Sequence, residues 1–360
     1  MMRTWRLIRG NWRQLYRHHG GAAAVARCWR GDWKLRHSRF GGGDHPEPAP
    51  VDCVTFSVIP SLTALWARLI ERAIPAPKRI LIGDCSGGLQ RALKPKPREG
   101  LTILPLLNRH HGEKLDLFLE RVCSAELVVV SDDDVFWLDQ EPWNWALEQL
   151  ESDPKVAVVS LLPRDYVSSV LQGKVDQAMG SHCLVLRRSI WLEQRLSFQK
   201  LQPPAAEGYD WFYDTADLAQ VELLARGYRV VIAPPQVDAH LAAFEAASAW
   251  MLKLRKHDRR GLEAAIAGIP LRREKALRAV LVGRALAGLS TGAAERGLPD
   301  PSDLDRVEGQ LHETMERESI ERVEAEVAAV VGRVRRRLNP EAALAQAPVA
   351  APGRIQAASR

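Results

Sequence analysis

The strongest constraint on the fold is the alternation of two kinds of segment between Val51 and about His240. Short apolar runs rich in Val, Ile and Leu read as buried strands: VDCVTFSVI, RILIGD, LTILPLL, ELVVVS, KVAVVSLL, SHCLVLRR and YRVVIAP. Between them stand SLTALWARLIERA, EKLDLFLERVCSA, PWNWALEQLES, SIWLEQRLSF and DTADLAQVELLARG, whose apolar residues recur at helical spacing. Pro142 stands at the start of the third of these, and Gly227 closes the last in the usual C-terminal glycine position. Strands alternating with helices predict the α/β class, here a Rossmann-like, mostly parallel sheet covered by helices.

From His240 onward the pattern changes. No convincing strand remains, and LAAFEAASAWMLKLRKH, LRREKALRAVLVGRALAGL and the long stretch from Pro301 to Leu338 are all helical in spacing, so an α-helical region is expected over 241–338. In the last stretch Leu304, Val307, Leu311 and Met315, then Ile320, Val323, Val327, Val330 and Val334, form one apolar stripe among dense charges. Such a stripe needs a covering surface. Packing on its own chain is favoured over a homo-oligomer joined through this C-terminal helix, because the heptads are irregular and few. Residues 339–360 are rich in Ala and Pro and are expected to be a disordered tail.

Ahead of the alternating region, GGGDHPEPAP (41–50) reads as a linker, since Gly and Pro disfavour helix and strand alike. It separates the core domain, 51–240, from an arm, 1–40, in which ten Lys or Arg face the single acid Asp32 and Trp5, Trp12, Trp29 and Trp33 are interspersed. Basic and indole side chains together suit an anionic membrane surface. The plainer alternative is a solvated arm that packs some of its tryptophans on the domain. Nucleic acid is not expected as a partner, because no recognisable nucleic-acid motif accompanies the charge. The composition, 46% hydrophobic and 26% charged, is that of an ordinary globular protein. The five cysteines are isolated from one another, which disfavours a zinc knuckle or a disulfide framework and fits a reducing compartment. No run of about 18 apolar residues occurs, so neither a signal peptide nor a spanning helix is expected. A cytoplasmic protein follows, peripheral on the inner face of a membrane if the arm binds lipid.

The chemistry-bearing feature is VVVSDDDVFWL (Val128–Leu138), three adjacent carboxylates directly behind a buried strand. Three such groups repel one another, so holding them together without a compensating cation has a folding cost, and a divalent metal would supply that cation. Hard oxygen ligands without thiolates favour Mg²⁺ or Mn²⁺, and such a cation favours a diphosphate able to share it. The opposing reading is that Asp132, Asp133 and Asp134 form a solvated turn with helix-capping potential.

Taken in order, VTFSVIP, RILIGDCSGG, LTILPLLNRHHG, VVVSDDDV, YDTADLAQVELLARGYRV and QVDAH make the chain resemble the nucleotide-sugar glycosyltransferases of the A-type fold, closest to glycosyltransferase family 2. The resemblance covers about Val51 to His240. It implies a metal-dependent, inverting hexosyltransferase that uses Mn²⁺ or Mg²⁺, and because no QxxRW-like processive motif appears in the later helices, a non-processive, single-addition enzyme is expected. Its partners would be a nucleoside diphosphate sugar donor and a glycan, lipid-linked or other hydroxyl acceptor. Carried over residue by residue, it implies a nucleotide side made by Pro60, Asp84, Ser86, Asp132 and Asp133, with Asp84 accepting a hydrogen bond from the base and Asp132 at the ribose or the metal's water. It implies a metal set of Asp132, Asp134 and His240, in which Asp134 binds directly.

A sugar hydroxyl is a poor nucleophile near neutral pH and needs a carboxylate base. Asp214 and Asp217, three residues apart at a helix start, are the candidates, and either could instead cap that helix. Gly180 and Ser181 resemble the family's small-residue segment on the acceptor side, where Gly would serve close backbone approach. Trp211 and Tyr213 could stack on a sugar ring or belong to the core. His110 and His111 are expected to face solvent. Two readings compete with the transferase. VVVSDDDVF also resembles the nucleophile loop of haloacid-dehalogenase-like phosphatases, with Asp132 as nucleophile and Asp134 as acid/base, and a non-catalytic membrane-peripheral adaptor would fit the arm and the helical tail.

Overall fold

The computed structural model describes residues 21–37, 49–89, 100–168, 170–199, 215–244, 247–254, 270–289 and 301–338, the side chains of 287–289 excepted. In chain order the elements are α1 (Ala22–His37), β1 (Val51–Ser57), α2 (Pro60–Ala73), β2 (Lys78–Asp84), β3 (Leu101–Pro105), α3 (His111–Arg121), β4 (Leu127–Ser131), β5 (Val135–Trp137), α4 (Glu141–Ser152), β6 (Val156–Ser160) and β7 (Cys183–Arg187). They continue with α5 (Arg188–Glu193), α6 (Asp217–Ala225), β8 (Arg229–Ile232), α7 (Pro235–Asp238), β9 (Leu241–Ala243), α8 (Ala247–Leu254), α9 (Pro270–Leu289), α10 (Pro301–Thr314) and α11 (Arg317–Leu338).

The seven apolar runs form one mixed sheet in the order β3-β2-β1-β4-β7-β6-β8. All neighbours are parallel except β7, which runs antiparallel to both β4 and β6. The α/β class read from the sequence, a mostly parallel sheet followed by a helical region, is the one observed. Both faces of the sheet are covered, so the strands alternate between two cores with period two. On β1, Val51 and Cys53 join a core shared with α2, α4 and the C-terminal helices, whereas Val54 and Phe56 join one shared with α3, α5 and α6.

The amino-terminal edge of the sheet is closed by a buried ion pair. Asp52 accepts two hydrogen bonds from Arg79 (2.7 and 2.8 Å) and two more from the main-chain N–H groups of Ser124 and Ala125 (2.8 and 2.9 Å). Every strong partner is used, which is what makes a buried pair tolerable.

Three features differ from expectation. A second, two-stranded antiparallel ribbon pairs β5 with β9, within and beyond the segments expected to hold no strand. The apolar stripe of the last helical stretch breaks at Met315 into α10 and α11, and its Leu304, Val307, Leu311, Val323, Val327 and Val334 are buried in the protein's own core. The described part of the arm packs on the domain through Val25, Cys28, Asp32 and Leu35, with Trp29 and Trp33 left partly exposed. Residues 22–37 form α1, which packs on the edge strand β3 and on α3. Its only acid, Asp32, is 2% exposed and accepts a bidentate pair of hydrogen bonds from Arg109 (Nη2 2.7 Å, Nε 2.9 Å). Gly31 makes this approach feasible, since a Cβ there would lie 2.1 Å from the Pro105 carbonyl oxygen. Residues 1–20, most of the linker and the tail 339–360 lie outside the described residues. No described helix is long and apolar enough to cross a membrane.

Candidate functional site

Strand order decides where a site can form. Successive parallel strands run β1 to β2 to β3 in one direction and then β4 on the other side of β1, so the chain reverses between β1 and β4. In open α/β sheets ligands bind outside the carboxyl ends of the strands at such a reversal. Ser57 ends β1 there and Ser131 ends β4 there, immediately before the acidic triplet. Because β7 is antiparallel, the residues that precede it, Gly180, Ser181 and His182, come to the same edge. The loop after β6 and the start of α6 join them, which brings in Arg164 and Asp217.

The three acids take three different directions. Asp132 faces the cleft with 36% of its side chain exposed, and its main-chain N–H donates to the His182 carbonyl (2.8 Å). Asp133 is buried and turns to the first turn of α2, where the Thr63 hydroxyl donates to its Oδ2 (2.9 Å) and the Val58 N–H adds a second bond. Asp134 is buried and turns to the first residues of α8, accepting from the Ser248 N–H (3.1 Å). Two carboxylates thus sit at helix N-termini, where unsatisfied N–H groups and the helix dipole favour negative charge. The capping reading is realised for Asp134, though on a helix distant in sequence rather than on α4, whereas Asp133 is held by the Thr63 hydroxyl and by the Val58 N–H just ahead of α2.

Charge crowding remains. Although Asp132 is partly open to solvent, the dense protein around its carboxyl, followed by the neighbouring Asp134 and Asp133 charges, raises it above the usual range. Asp133 is pushed up to about 7 by burial and by Asp134, and Asp134 is raised by burial. Asp132 and its two neighbours are the most strongly opposed set of acids at this edge, and the one open to solvent is Asp132.

His111 stands beside Asp132, with Nε2 3.6 Å from Oδ1. Its ring is bonded to the Ser181 main chain and packs edge-on to Phe56 at 5.9 Å between centroids. Nε2 is buried and makes no hydrogen bond. Burial, then the Lys114 ammonium, lowers the ring to about 3, so it is neutral near pH 7. This corrects the expectation that both histidines face solvent: His110 is exposed, whereas His111 is half-buried with its Nε2 turned inward. It turns inward because α3 begins at His111 and Gly112 fits tightly against the Phe198 carbonyl, where a Cβ would lie 2.2 Å away. Lys114, one helical turn on, is 5% exposed, donates to Asn108 Oδ1 (3.2 Å) and lies 4.9 Å from the Phe56 ring centre. The sequence reading missed it. A cation in the first turn of a helix opposes the helix dipole, and that mismatch was the available signal.

The remaining expected residues divide. Gly180 has the close approach anticipated for it, since a Cβ would meet the Leu162 carbonyl oxygen at 2.1 Å, and its N–H donates to Ser160 Oγ (3.0 Å). Ser181 holds His111. Asp84 and Ser86 form a closed loop in which Asp84 accepts from the Ser86 N–H (2.9 Å), the Ser86 hydroxyl (2.6 Å), the Gly87 N–H (2.9 Å) and the Leu89 N–H (3.2 Å). At 3% exposure Asp84 builds its loop instead of offering a carboxylate to a base. Pro60 is buried at the first turn of α2. Asp217, fully buried, is ion-paired with Arg164, which keeps its carboxylate engaged and withdrawn from an acceptor hydroxyl. Asp214, Trp211 and Tyr213 lie outside the described residues.

His240 is not brought to the acids. The ribbon register sets Leu138 opposite His240 and Phe244 opposite Asp134, so His240 lies four residues, about 13 Å, down the ribbon. There its Nδ1 pairs with Asp139 (2.7 Å). Among the described residues no three His, Cys, Asp or Glu converge on a cation site. A divalent cation shared with a diphosphate needs only one or two protein ligands. Asp132 and the orphaned His111 nitrogen supply that number, so the residues present fit such a cation at Asp132 and do not fit an all-protein cage. The withdrawn position of Asp134 also removes the acid/base that a dehalogenase-like phosphatase would need.

No protein-family model and no curated protein matches the chain. Among solved structures, the chain is similar to a mannosyltransferase from Pyrobaculum calidifontis in complex with GDP-Man and Mn²⁺, at 14% identity over 89% of this chain and 95% of that one, with a TM-score of 0.42. It is similar to the galactosyltransferase LgtC in complex with donor and acceptor sugar analogs, at 16% identity over 51% and 74% of the two chains, TM-score 0.33. It is also similar to a 4-diphosphocytidyl-2C-methyl-D-erythritol synthase from Anaerococcus prevotii, at 10% identity over 51% and 87%, TM-score 0.35.

Proposed function

We propose that the protein is a glycosyltransferase that moves a single hexose from a nucleoside diphosphate sugar to a hydroxyl of a glycan, lipid-linked or other acceptor. The observation that carries this reading is Asp132. It is the one acid of the triplet left open, it stands where the sheet order reverses, and a buried nitrogen without a partner lies beside it. An anionic ligand could not approach an unrelieved carboxylate, whereas a diphosphate arriving with Mg²⁺ or Mn²⁺ could. Asp132 and His111 would hold that cation, and when bound it would neutralise charge developing on the diphosphate.

The chain's own residues do the rest. Lys114 adds a fixed positive charge on the β1–β2–β3 side of the cleft. Asp133 and Asp134 anchor the loop to α2 and α8, so the Asp132 carboxylate is held by two helices. Gly180 and Ser181 line the other wall and fix the His111 ring. Asp217 orients Arg164 on that wall, and the role of base for an inverting transfer passes to Asp214.

The test is a thermal-shift and calorimetric titration of the full chain with UDP-, GDP- and CDP-sugars, with and without Mn²⁺. Binding that needs Mn²⁺ and is lost in Asp132→Asn is expected. His111→Ala should weaken Mn²⁺ at least tenfold, the scale on which metal-site partners act, while His240→Ala should leave it unchanged. No shift with any nucleotide sugar, or full binding by Asp132→Asn, would overturn the assignment.

A further inference from the structure

We propose that the outward face of α1 is a docking surface for an anionic lipid bilayer. Docking of α1 on the sheet edge fixes which side of the helix is left over. Val25, Cys28, Asp32 and Leu35 are buried, and the flank beside that stripe carries Trp29 and Trp33, 42% and 53% exposed. These are two of the five large hydrophobic side chains exposed among the described residues. Four residues apart, they lie on one line along the helix. Arg30 and Lys34 are exposed beside that line. The only acid of α1 is the one spent on Arg109, so the outward face carries no negative charge.

Two exposed indoles flanked by cations match a bilayer interface, where the rings enter the headgroup layer and the cations meet lipid phosphates and carboxylates. The same face is a poor seat for the preceding part of the chain, because residues 1–20 contain five Arg and no acid and would be repelled by it. They would instead add to its attraction for an anionic surface. The face is also fixed relative to the candidate site. The α1 anchor Arg109 lies two residues before His111, and Arg27 bonds the Gly87 carbonyl in the Asp84 loop (2.9 Å). Docking through α1 would therefore hold the cleft at a set height and orientation over the lipid. This inference does not depend on the transferase reading.

Co-sedimentation of the full chain with phosphatidylcholine vesicles, with and without phosphatidylserine, tests it. Binding only to vesicles containing phosphatidylserine, weakened by salt, is expected. Arg30→Gln with Lys34→Gln should weaken partitioning roughly 30-fold, from the contribution of each cation near an anionic membrane. Trp29→Ala with Trp33→Ala should weaken it as well and leave a residue of binding that salt abolishes. The Arg30/Lys34 variant should unfold at the wild-type temperature, since both side chains are exposed; the tryptophan variant, whose rings are about half buried, is compared with wild type below its own unfolding temperature, so that lost binding is read on folded protein. The proposal is overturned if neither vesicle type sediments the protein, or if both variants bind like wild type. It is equally overturned if the face mediates self-association or duplex oligonucleotide binding in place of lipid binding.

Discussion

Alanine at Gly31 and alanine at Gly309 should change stability in opposite directions, although each replaces a helical glycine. In a helix interior Ala is favoured over Gly by about 1 kcal/mol, because Gly surrenders more backbone freedom on folding. Gly309 is exposed on α10 with nothing within 4 Å of an added Cβ, so Gly309→Ala should gain up to that amount. At Gly31 the added carbon would lie 2.1 Å from Pro105 O, 2.9 Å from Pro105 C and 3.1 Å from Pro105 Cβ. Ordinary contact between heavy atoms begins near 3.5 Å, so α1 would have to move by roughly 1 Å or more. Pro105 cannot retreat, since it ends β3 in register with Asp84, whose loop is tied by four hydrogen bonds. The helix must therefore give way, and the Asp32–Arg109 bonds are lost with it.

Overpacking alone costs about 1–3 kcal/mol, and unpairing a buried carboxylate adds to that. Against the gain of about 1 kcal/mol, a net loss of about 2–4 kcal/mol is expected. Urea unfolding gives the sign, and hydrogen exchange over residues 22–37 separates strain from undocking. Gly31→Ala as stable as Gly309→Ala, with exchange in α1 unchanged, would refute the docking of α1 on β3.

Two further substitutions probe the two edges of the sheet. Gly180→Ala places a carbon against the Leu162 carbonyl and the His182 ring at 2.1 and 2.4 Å, so a loss of about 1–3 kcal/mol in urea unfolding is expected. Nucleotide-sugar affinity should fall with it, because the same segment holds His111. Asp52→Ala leaves the 3%-exposed Arg79 guanidinium without its carboxylate and should cost about 3–5 kcal/mol in the same assay. Ligand affinity of the folded fraction should be unchanged, since the pair lies at the opposite edge from the cleft.

The sheet was legible because burial on both faces forces near-continuous apolar runs, and seven such runs became its seven strands. The β5–β9 ribbon was not. Its strands are three residues long, and LAAFEAASAW carries Ala and Glu that favour helix, so only pairing with VFW reveals Leu241–Ala243 as extended. The same ribbon explains His240. A resemblance in residue order cannot report antiparallel register, and the register carries this histidine away from Asp134. The docking of α1 was hidden for a related reason. Its key contact joins Asp32 to Arg109, 77 residues apart, and nothing local to either residue announces the other.

The acidic triplet shows how sequence reasoning was right about a cost and incomplete about what offsets it. Three adjacent carboxylates do repel one another, and that argument pointed to a cation for the whole set. In the fold, Thr63 and Val58 at the start of α2 meet Asp133, and Ser248 at the start of α8 meets Asp134. Helix N-termini therefore take up much of the demand, and the part left for a ligand is concentrated on Asp132. With only Asp132 and His111 available to it, a cation bound there would complete its coordination with water or with phosphate oxygens. Cation and nucleotide would then each raise the other's affinity by the same factor, as linkage requires. The positions that Asp132 and His111 would leave to a ligand would then supply the recognition, and the buried Asp133 and Asp134 behind them would hold one carboxylate in place.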